Sequence, residues 1–260
     1  SPGVSRAGAL LMTEALMDSQ LLAATRKPWR TGDETPFVRI TGLSKNFGDV
    51  KAVKDTSLDI YKGELFCLLG GSGCGKSTLL RMLAGFETPS AGRIEIDGQD
   101  MAGLAPYARP TNMMFQSYAL FPHLSVWENI AFGLRRDGVA KDALNARVDE
   151  MLKLTRLEKF ARRKPHQISG GQRQRAFIAM VWAQDTQYIF LDEPLNNLDM
   201  KHSAAIMKHL RQACDEFNKS IVVVLHDINF ASYYSDEIIA MRNGRIYQVG
   251  TPKEIMNSES

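Results

Sequence analysis

The 260-residue sequence is poor in the features that mark secreted or membrane-spanning chains. It has only three cysteines, Cys67, Cys74 and Cys214, and their odd number and wide spacing exclude a disulfide framework and any familiar metal-ligand pattern. No run approaches the ~20 consecutive apolar residues that a transmembrane helix needs. We therefore expect the chain to work in a reducing cytosol and to form no pore by itself.

A strong charge of one sign is also missing. The net charge of +3 is too small to indicate a nucleic-acid partner, and basic runs such as 162–164 are interpreted as solvated helix faces. With 44% hydrophobic residues the chain can bury the core of one large α/β domain. Residues 1–36 mix proline, glycine, serine and charges without a period, which predicts a mobile N-terminal extension before a domain over 37–260.

Glycine is concentrated in one short segment, residues 70–77. The segment matches the pattern G-x-x-x-x-G-K-[ST] without a substitution. Its glycines allow the backbone to wrap a polyphosphate with consecutive N–H groups pointing inwards. The pattern predicts a nucleoside triphosphate site formed by Gly70, Gly71, Ser72, Gly73, Cys74, Gly75, Lys76, Ser77 and the following Thr78.

The flanking sequence supports this site. Residues 64–69 form an apolar run that predicts a buried strand, and residues 78–84 predict a helix whose N-terminus adds partial positive charge. We expect Lys76 to bind the β- and γ-phosphates and the Ser77 hydroxyl to ligate Mg²⁺. Cys74 is expected to be exposed within the loop.

A second glycine-rich turn occupies residues 168–172. Its free N–H groups predict another anion-binding helix start, with the helix running from Gln172 onward. Farther along, residues 188–193 form an apolar run that ends in two acids. One nucleotide rarely needs two phosphate cradles on one polypeptide, so the second turn calls for a separate explanation.

The order of these motifs resembles that of the ATP-binding subunits of ABC transporters. Residues 168–172 resemble their LSGGQ signature, with isoleucine for leucine, and residues 188–193 resemble their Walker B strand. The resemblance implies an α/β P-loop fold with a RecA-like core, an antiparallel β subdomain and a helical subdomain inserted at about 117–180. It also implies a head-to-tail homodimer in which the signature of one subunit covers the γ-phosphate on the other, through Ser169, Gly170, Gly171 and Gln172.

The resemblance assigns roles to individual side chains. Glu193 would polarise the attacking water, His226 would contact the γ-phosphate, and Gln116 would reach both the water and the metal. The implied Mg²⁺ ligands are Ser77, Gln116 and Asp192.

Two further positions follow from the same resemblance. Asp199, within residues 195–199, would bridge the two subunits. Phe47, within residues 45–48, would stack on adenine, and its alternative interpretation is an ordinary aromatic residue in a β-turn.

The family resemblance divides on the transported substrate. Residues 109–123 are typical of polyamine (spermidine and putrescine) importer ATPases, whereas stretches after about residue 175, such as 193–202 and 226–231, look more like ATPases of ferric-siderophore importers. Because the segment after Gln116 faces the membrane subunits in the family, we expect polyamine import, with iron-siderophore import as the alternative. A soluble ABC ATPase acting on ribosomes or DNA is disfavoured, since the chain has one P-loop and no heptad run.

The resemblance also implies partners and a location. An importer ATPase would use ATP and Mg²⁺, form a homodimer, and dock on two transmembrane permease subunits that receive cargo from a substrate-binding protein. It would lie peripherally at the cytoplasmic face of the inner membrane, without a nucleic-acid partner.

Overall fold

The computed structural model describes residues 35–114, 120–183, 186–196 and 200–257. The predicted N-terminal extension therefore lies outside the described residues apart from its last two positions. Gln116 and Asp199 lie outside them as well. Within these ranges the chain forms two β-sheets and seven α-helices.

The smaller sheet is antiparallel and has four strands. Two long strands form a hairpin, with Val38 opposite Ile60, and β1 also pairs with β4. The strand order is β2-β1-β4-β5, where the strands are β1 (Val38–Phe47), β2 (Val50–Ile60), β4 (Ala91–Ile96) and β5 (Gln99–Asp100). A turn at residues 48 and 49 joins β1 to β2.

The larger sheet has six strands and carries the carboxyl-terminal edge on which several predicted site residues lie. Its strands are β3 (Leu65–Leu69), β6 (Thr111–Met114), β7 (Tyr188–Asp192), β8 (Ser220–Val224), β9 (Glu237–Arg242) and β10 (Arg245–Gly250). The order is β10-β9-β3-β8-β7-β6, and every pair is parallel except β10 with β9. That last pair is a hairpin that turns at Asn243-Gly244, where both residues have positive φ, as this dipeptide favours.

The central strands are apolar at nearly every position because both faces of the larger sheet are covered. Alternate residues of one strand point into different cores. On β3, Cys67 packs in the core shared with most of the helices, whereas Phe66 and Leu68 pack in the core shared with the smaller sheet. The same alternation divides Leu191 from Phe190 on β7. The sheet is thereby held between two apolar layers.

Helices cover the sheet and form a separate group after β6. They are α1 (Lys76–Ala84), α2 (Val126–Arg136), α3 (Lys141–Leu154), α4 (Gly170–Ala183), α5 (Met200–Phe217), α6 (Ile228–Tyr234) and α7 (Pro252–Asn257). Helices α2, α3 and α4 pack against one another, in the range where the helical subdomain is predicted. No described helix combines the length and the apolar character needed to cross a membrane.

The helical group begins with a locally encoded cap. Ser125 accepts a hydrogen bond from Glu128 N while the Glu128 carboxylate accepts one from Ser125 N, which is a complete capping box. The buried Asn129 amide accepts from Phe121 N at 2.7 Å and donates to Ser125 O at 2.9 Å. These contacts fix the segment that leads into α2.

Candidate functional site

The glycine-rich loop connects β3 to α1, and its backbone conformation requires glycine. Gly70, Gly73 and Gly75 have φ values of 153, 74 and 103°. A Cβ on Gly75 would lie 2.5 Å from Ala52 O, and one on Gly70 would lie 2.4 Å from Met241 O. The loop therefore passes too close to β2 and β9 for any side chain at these two positions.

Lys76, the first residue of α1, places its ammonium group inside the loop. Nζ donates to Gly70 O at 2.8 Å and to Gly71 O at 2.9 Å, and it lies 3.7 Å from Cys74 Sγ. The side chain is buried although it is charged. A cation held within a turn of backbone N–H groups at a helix start is suited to a polyphosphate.

Cys74 corrects one expectation. Its side chain is only 8% exposed and belongs to the core shared with the smaller sheet. The thiol lies against Gly70, where an added Cβ would come within 2.7 Å of Cys74 Sγ. The prediction of an exposed cysteine was therefore wrong, since the loop's packing against its neighbours is not visible in the local sequence.

Ser77 and Asp192 meet at the edge of the sheet. The Ser77 hydroxyl donates to Asp192 Oδ1 at 2.9 Å, and Asp192, the last residue of β7, is 2% exposed. Burial raises the pKa of the Asp192 carboxyl above its usual value, while the hydrogen bond from Ser77 opposes that shift.

This pair fits the Mg²⁺ of a nucleotide complex. A hydroxyl and a carboxylate oxygen are ligands that this hard cation prefers, and phosphate oxygens and water normally complete its octahedron. The described residues contain no cluster of three or more His, Cys, Asp or Glu that could hold a metal by itself. Ser77 and Asp192 would therefore bind the ion together with a phosphate ligand.

Glu193 and His226 also come together, from the ends of neighbouring strands. His226 Nε2 lies 2.7 Å from Glu193 Oε1, with the side chains 47% and 14% exposed. Glu193 has a φ of 53°, a left-handed backbone that turns the chain sharply after β7. Both residues line a pocket of about 260 Å³ that also includes Asp227 and Phe230.

Asn196 is a site residue that the sequence reasoning missed. Its amide Nδ2 donates to Glu193 Oε2 at 2.5 Å, so neighbours on two sides hold the carboxylate. The available signal was an amide side chain three residues beyond the acid, which is too common a pattern to single out without the turn geometry.

The second glycine-rich turn forms its own cap at the start of α4. Gln172 N donates to Ser169 Oγ at 3.2 Å, and Ser169 N donates to Gln172 Oε1 at 2.8 Å. The helix begins at Gly170, two residues earlier than predicted. Ser169 and Gly170 are exposed, so the turn is accessible from outside the subunit.

Phe47 ends β1 and is 48% exposed. The Lys45 ammonium lies 4.9 Å from the centre of its ring. An exposed ring at this position is compatible with stacking on a base, and that role remains a prediction. Gln116 and Asp199 lie outside the described residues, so their predicted roles also remain predictions.

The fold and the loop define a P-loop α/β protein. The sequence profile of the ABC transporter family matches residues 53–196. The chain belongs to the ABC transporter family, and the mixed α/β cassette fold predicted from its motifs is confirmed.

Curated relatives come from polyamine importers. The chain is 50% identical to the putrescine transport ATP-binding protein PotG of Escherichia coli (strain K12) over 221 residues, which are 85% of this chain and 59% of the relative. It is 46% identical to the spermidine/putrescine import ATP-binding protein PotA of Rubrobacter xylanophilus over 236 residues, 91% of this chain and 63% of the relative. The chain thus spans less than two thirds of the length of both relatives.

Solved structures share the fold. The structure of cbiO1 from Clostridium perfringens, part of the cbiONQ transporter complex, aligns with a TM-score of 0.79 at 32% identity and covers 87% of this chain and 92% of that one. The dimeric, post-hydrolysis structure of the ATP-binding cassette MJ0796 bound to ADP and Pi aligns with a TM-score of 0.75 at 32% identity, covering 83% of this chain and 98% of that one.

These matches bear on the expected division near residue 175. A match over 91% of the chain must run through that position, so the likeness to polyamine-importer ATPases extends into both parts. The siderophore-importer resemblance expected after residue 175 finds no support in these comparisons.

The position of Lys76 gives a direct prediction. Lys76→Ala should weaken equilibrium binding of a fluorescent ATP analogue at least about tenfold, because charge-assisted hydrogen bonds contribute roughly 1.5–3 kcal/mol each. Lys62→Ala, at an exposed lysine just before β3, is the matched control and should bind like the wild type. Unchanged affinity in the Lys76 variant would mean that the loop does not hold the phosphates.

Proposed function

We propose that the chain is the ATPase subunit of an importer for polyamines such as spermidine and putrescine. The observation that carries the proposal is the likeness to PotG and PotA over 85–91% of the chain, together with a loop whose backbone and lysine suit a polyphosphate. A substrate-binding protein would deliver the polyamine to two permease subunits, through which it would cross the membrane. The chain would sit peripherally at the cytoplasmic face of the membrane and use no nucleic acid.

The chemistry follows from the residues at the sheet edge. The N–H groups of residues 70–77 and the Lys76 ammonium bind the phosphates of ATP, and Ser77 with Asp192 holds Mg²⁺. When bound, Mg²⁺ neutralises charge on the phosphate oxygens. Because the transition state of phosphoryl transfer is loose, the residues act mainly by positioning and by electrostatic stabilisation.

Glu193 is the proposed general base. Its carboxylate stands at the end of β7, directly after the proposed Mg²⁺ ligand Asp192, so it is close to where an attacking water would approach the γ-phosphate. His226 Nε2, 2.7 Å away, orients the carboxylate from the neighbouring strand end, and its own side chain is about half exposed. Gln116 would complete this group.

A homodimer completes the proposed site. In the signature turn, Ser169 and Gly170 are exposed, and reciprocal hydrogen bonds between Ser169 and Gln172 hold the start of α4. Backbone N–H groups at such a helix start can bind the γ-phosphate held by a partner subunit. Asp199 and the base-stacking Phe47 belong to the same proposed assembly. The MJ0796 structures, which share the fold, are dimeric.

Polyamine uptake tests the function. In Escherichia coli cells that lack PotG, this chain should restore uptake of radiolabelled putrescine, whereas Glu193→Gln should not, because hydrolysis should fall roughly 10²-fold or more without the base. Purified Glu193→Gln should still bind ATP. Glu158→Gln, an exposed glutamate outside the site, is the matched control. Failure of the expressed, ATP-binding chain to restore putrescine uptake, together with rescue of cells that lack a ferric-siderophore importer ATPase, would contradict the substrate proposal.

The dimer has its own test. Ser169→Arg adds bulk to the signature turn and should abolish the ATP-dependent dimer that Glu193→Gln accumulates, as measured by light scattering. It should leave ATP binding by the isolated subunit intact, because its own loop at 70–77 is untouched. Ala143→Arg is the matched control: it adds the same side chain at an exposed position of α3 and should still dimerise. Loss of ATP binding by isolated Ser169→Arg would place the turn in the same subunit's pocket.

A further inference from the structure

Arg109 holds the far end of the helix that begins in the glycine-rich loop. Its Nη1 donates to Met82 O and Leu83 O, both at 2.9 Å, in the last turn of α1. Nη2 donates to Met101 O at 3.0 Å, and Nε donates to Leu104 O at 3.2 Å. One guanidinium thus binds four backbone carbonyls from two segments.

The charge of Arg109 suits this place. The carbonyl end of a helix carries partial negative charge, and a cation there is favourable. Burial lowers the pKa of Arg109, yet guanidinium stays protonated because its ordinary value is so high. Its planar fork also matches several carbonyls at once, which an ammonium group cannot do.

Gly85 leaves the room that Arg109 occupies. It follows α1 with a φ of 83° and caps the helix with its own N–H group. A Cβ at this position would lie 2.5 Å from Arg109 Nε and 2.9 Å from Cζ. The helix end and the arginine are therefore fitted to each other.

Helix α1 is consequently fastened at both ends. At its first turn, Ser77 donates to Asp192 at the end of β7. At its last turn it is held by Arg109, which stands two residues before β6 begins. Strands β6 and β7 are hydrogen-bonded neighbours, and α1 packs against both. The two contacts that hold α1, from Arg109 and from Asp192, thus come from the segment just before β6 and from the end of its neighbour β7.

We propose that Arg109 is a positioning residue of the nucleotide site, which sets the place of α1 along its axis so that the Ser77 hydroxyl stays opposite Asp192. A nine-residue helix is a rigid rod of about 13 Å, so a shift at one end moves the other. The proposal rests on the proposed binding of Mg–ATP. If it is right, loss of Arg109 lowers the gain in ATP affinity that Mg²⁺ provides.

The test measures the Mg²⁺-dependent gain in ATP affinity. ATP affinity is titrated with Mg²⁺ and with EDTA, and the ratio of the two dissociation constants is compared among wild type, Arg109→Lys and Arg109→Ala. We expect the Mg²⁺-dependent gain to fall about fivefold or more in both variants, the usual scale of coupling between separated sites. Affinity in EDTA should change less. Arg93→Ala is the matched control, because this exposed arginine lines the same pocket as Arg109 but forms its ion pair with Glu95 on its own strand, β4, and it should keep the wild-type ratio.

Chemical rescue separates positioning from loss of folding. A pocket of about 500 Å³ borders Arg109, Gly85, Met101 and Leu104, which gives a small cation access to the vacated place. Millimolar methylguanidinium should restore the Mg²⁺-dependent gain in Arg109→Ala, whereas methylammonium should not. If Arg109→Ala does not fold, the charge-conserving Arg109→Lys decides the question in the same titration.

The outcomes are distinct. A folded Arg109 variant that keeps the full Mg²⁺-dependent gain overturns the proposal and leaves the proposed function standing. Lower thermal stability with an unchanged ratio likewise reduces Arg109 to a structural residue and overturns the proposal. A wild-type chain without Mg²⁺-dependent ATP binding would instead overturn the proposed function itself.

Discussion

The hydrogen bond from Ser77 to Asp192 is the contact on which the geometry of the site depends. It joins the first turn of α1 to the end of β7 at 2.9 Å. In the sheet, β8, which leads to His226, lies between β7 and β3, the strand that precedes the loop and α1. The contact places the lysine-bearing loop beside the two acids that end β7. Burial raises the pKa of the Asp192 carboxyl, and the hydrogen bond from Ser77 opposes this shift. The bond also gives the buried carboxylate a donor, so that its oxygen is not left without a hydrogen-bond partner.

The parallel sheet explains why these groups meet at all. Strands β3, β7 and β8 run in the same direction, so the glycine-rich loop, the acid pair and His226 all emerge at one edge. Ligands of open α/β sheets bind at the carboxyl ends of their strands. The strands themselves lie between two apolar cores, and the polar site residues lie at the strand ends and in the turns that follow them.

The sequence predicted those features of the site that a few consecutive residues determine. The loop at 70–77 and the two acids at the end of the run 188–193 each depend on a few consecutive residues, and the structure has them where expected. The hydrogen bond from Asn196 to Glu193 is also local, but it depends on the left-handed turn at Glu193, which the residue pattern does not reveal. The burial of Cys74 depends on how distant segments pack. The same is true of Arg109, whose four carbonyl partners come from residues 5 to 27 positions away.

The proposed site requires Ser77 and Asp192 to act as one unit on the Mg²⁺ of a bound nucleotide. A double-mutant cycle measures this coupling, with Ser77→Ala, Asp192→Asn and the double variant compared for Mg²⁺-dependent ATP affinity. We expect strong non-additivity, with the double variant scarcely weaker than the worse single variant. Two independent losses that add in full would contradict the coupling.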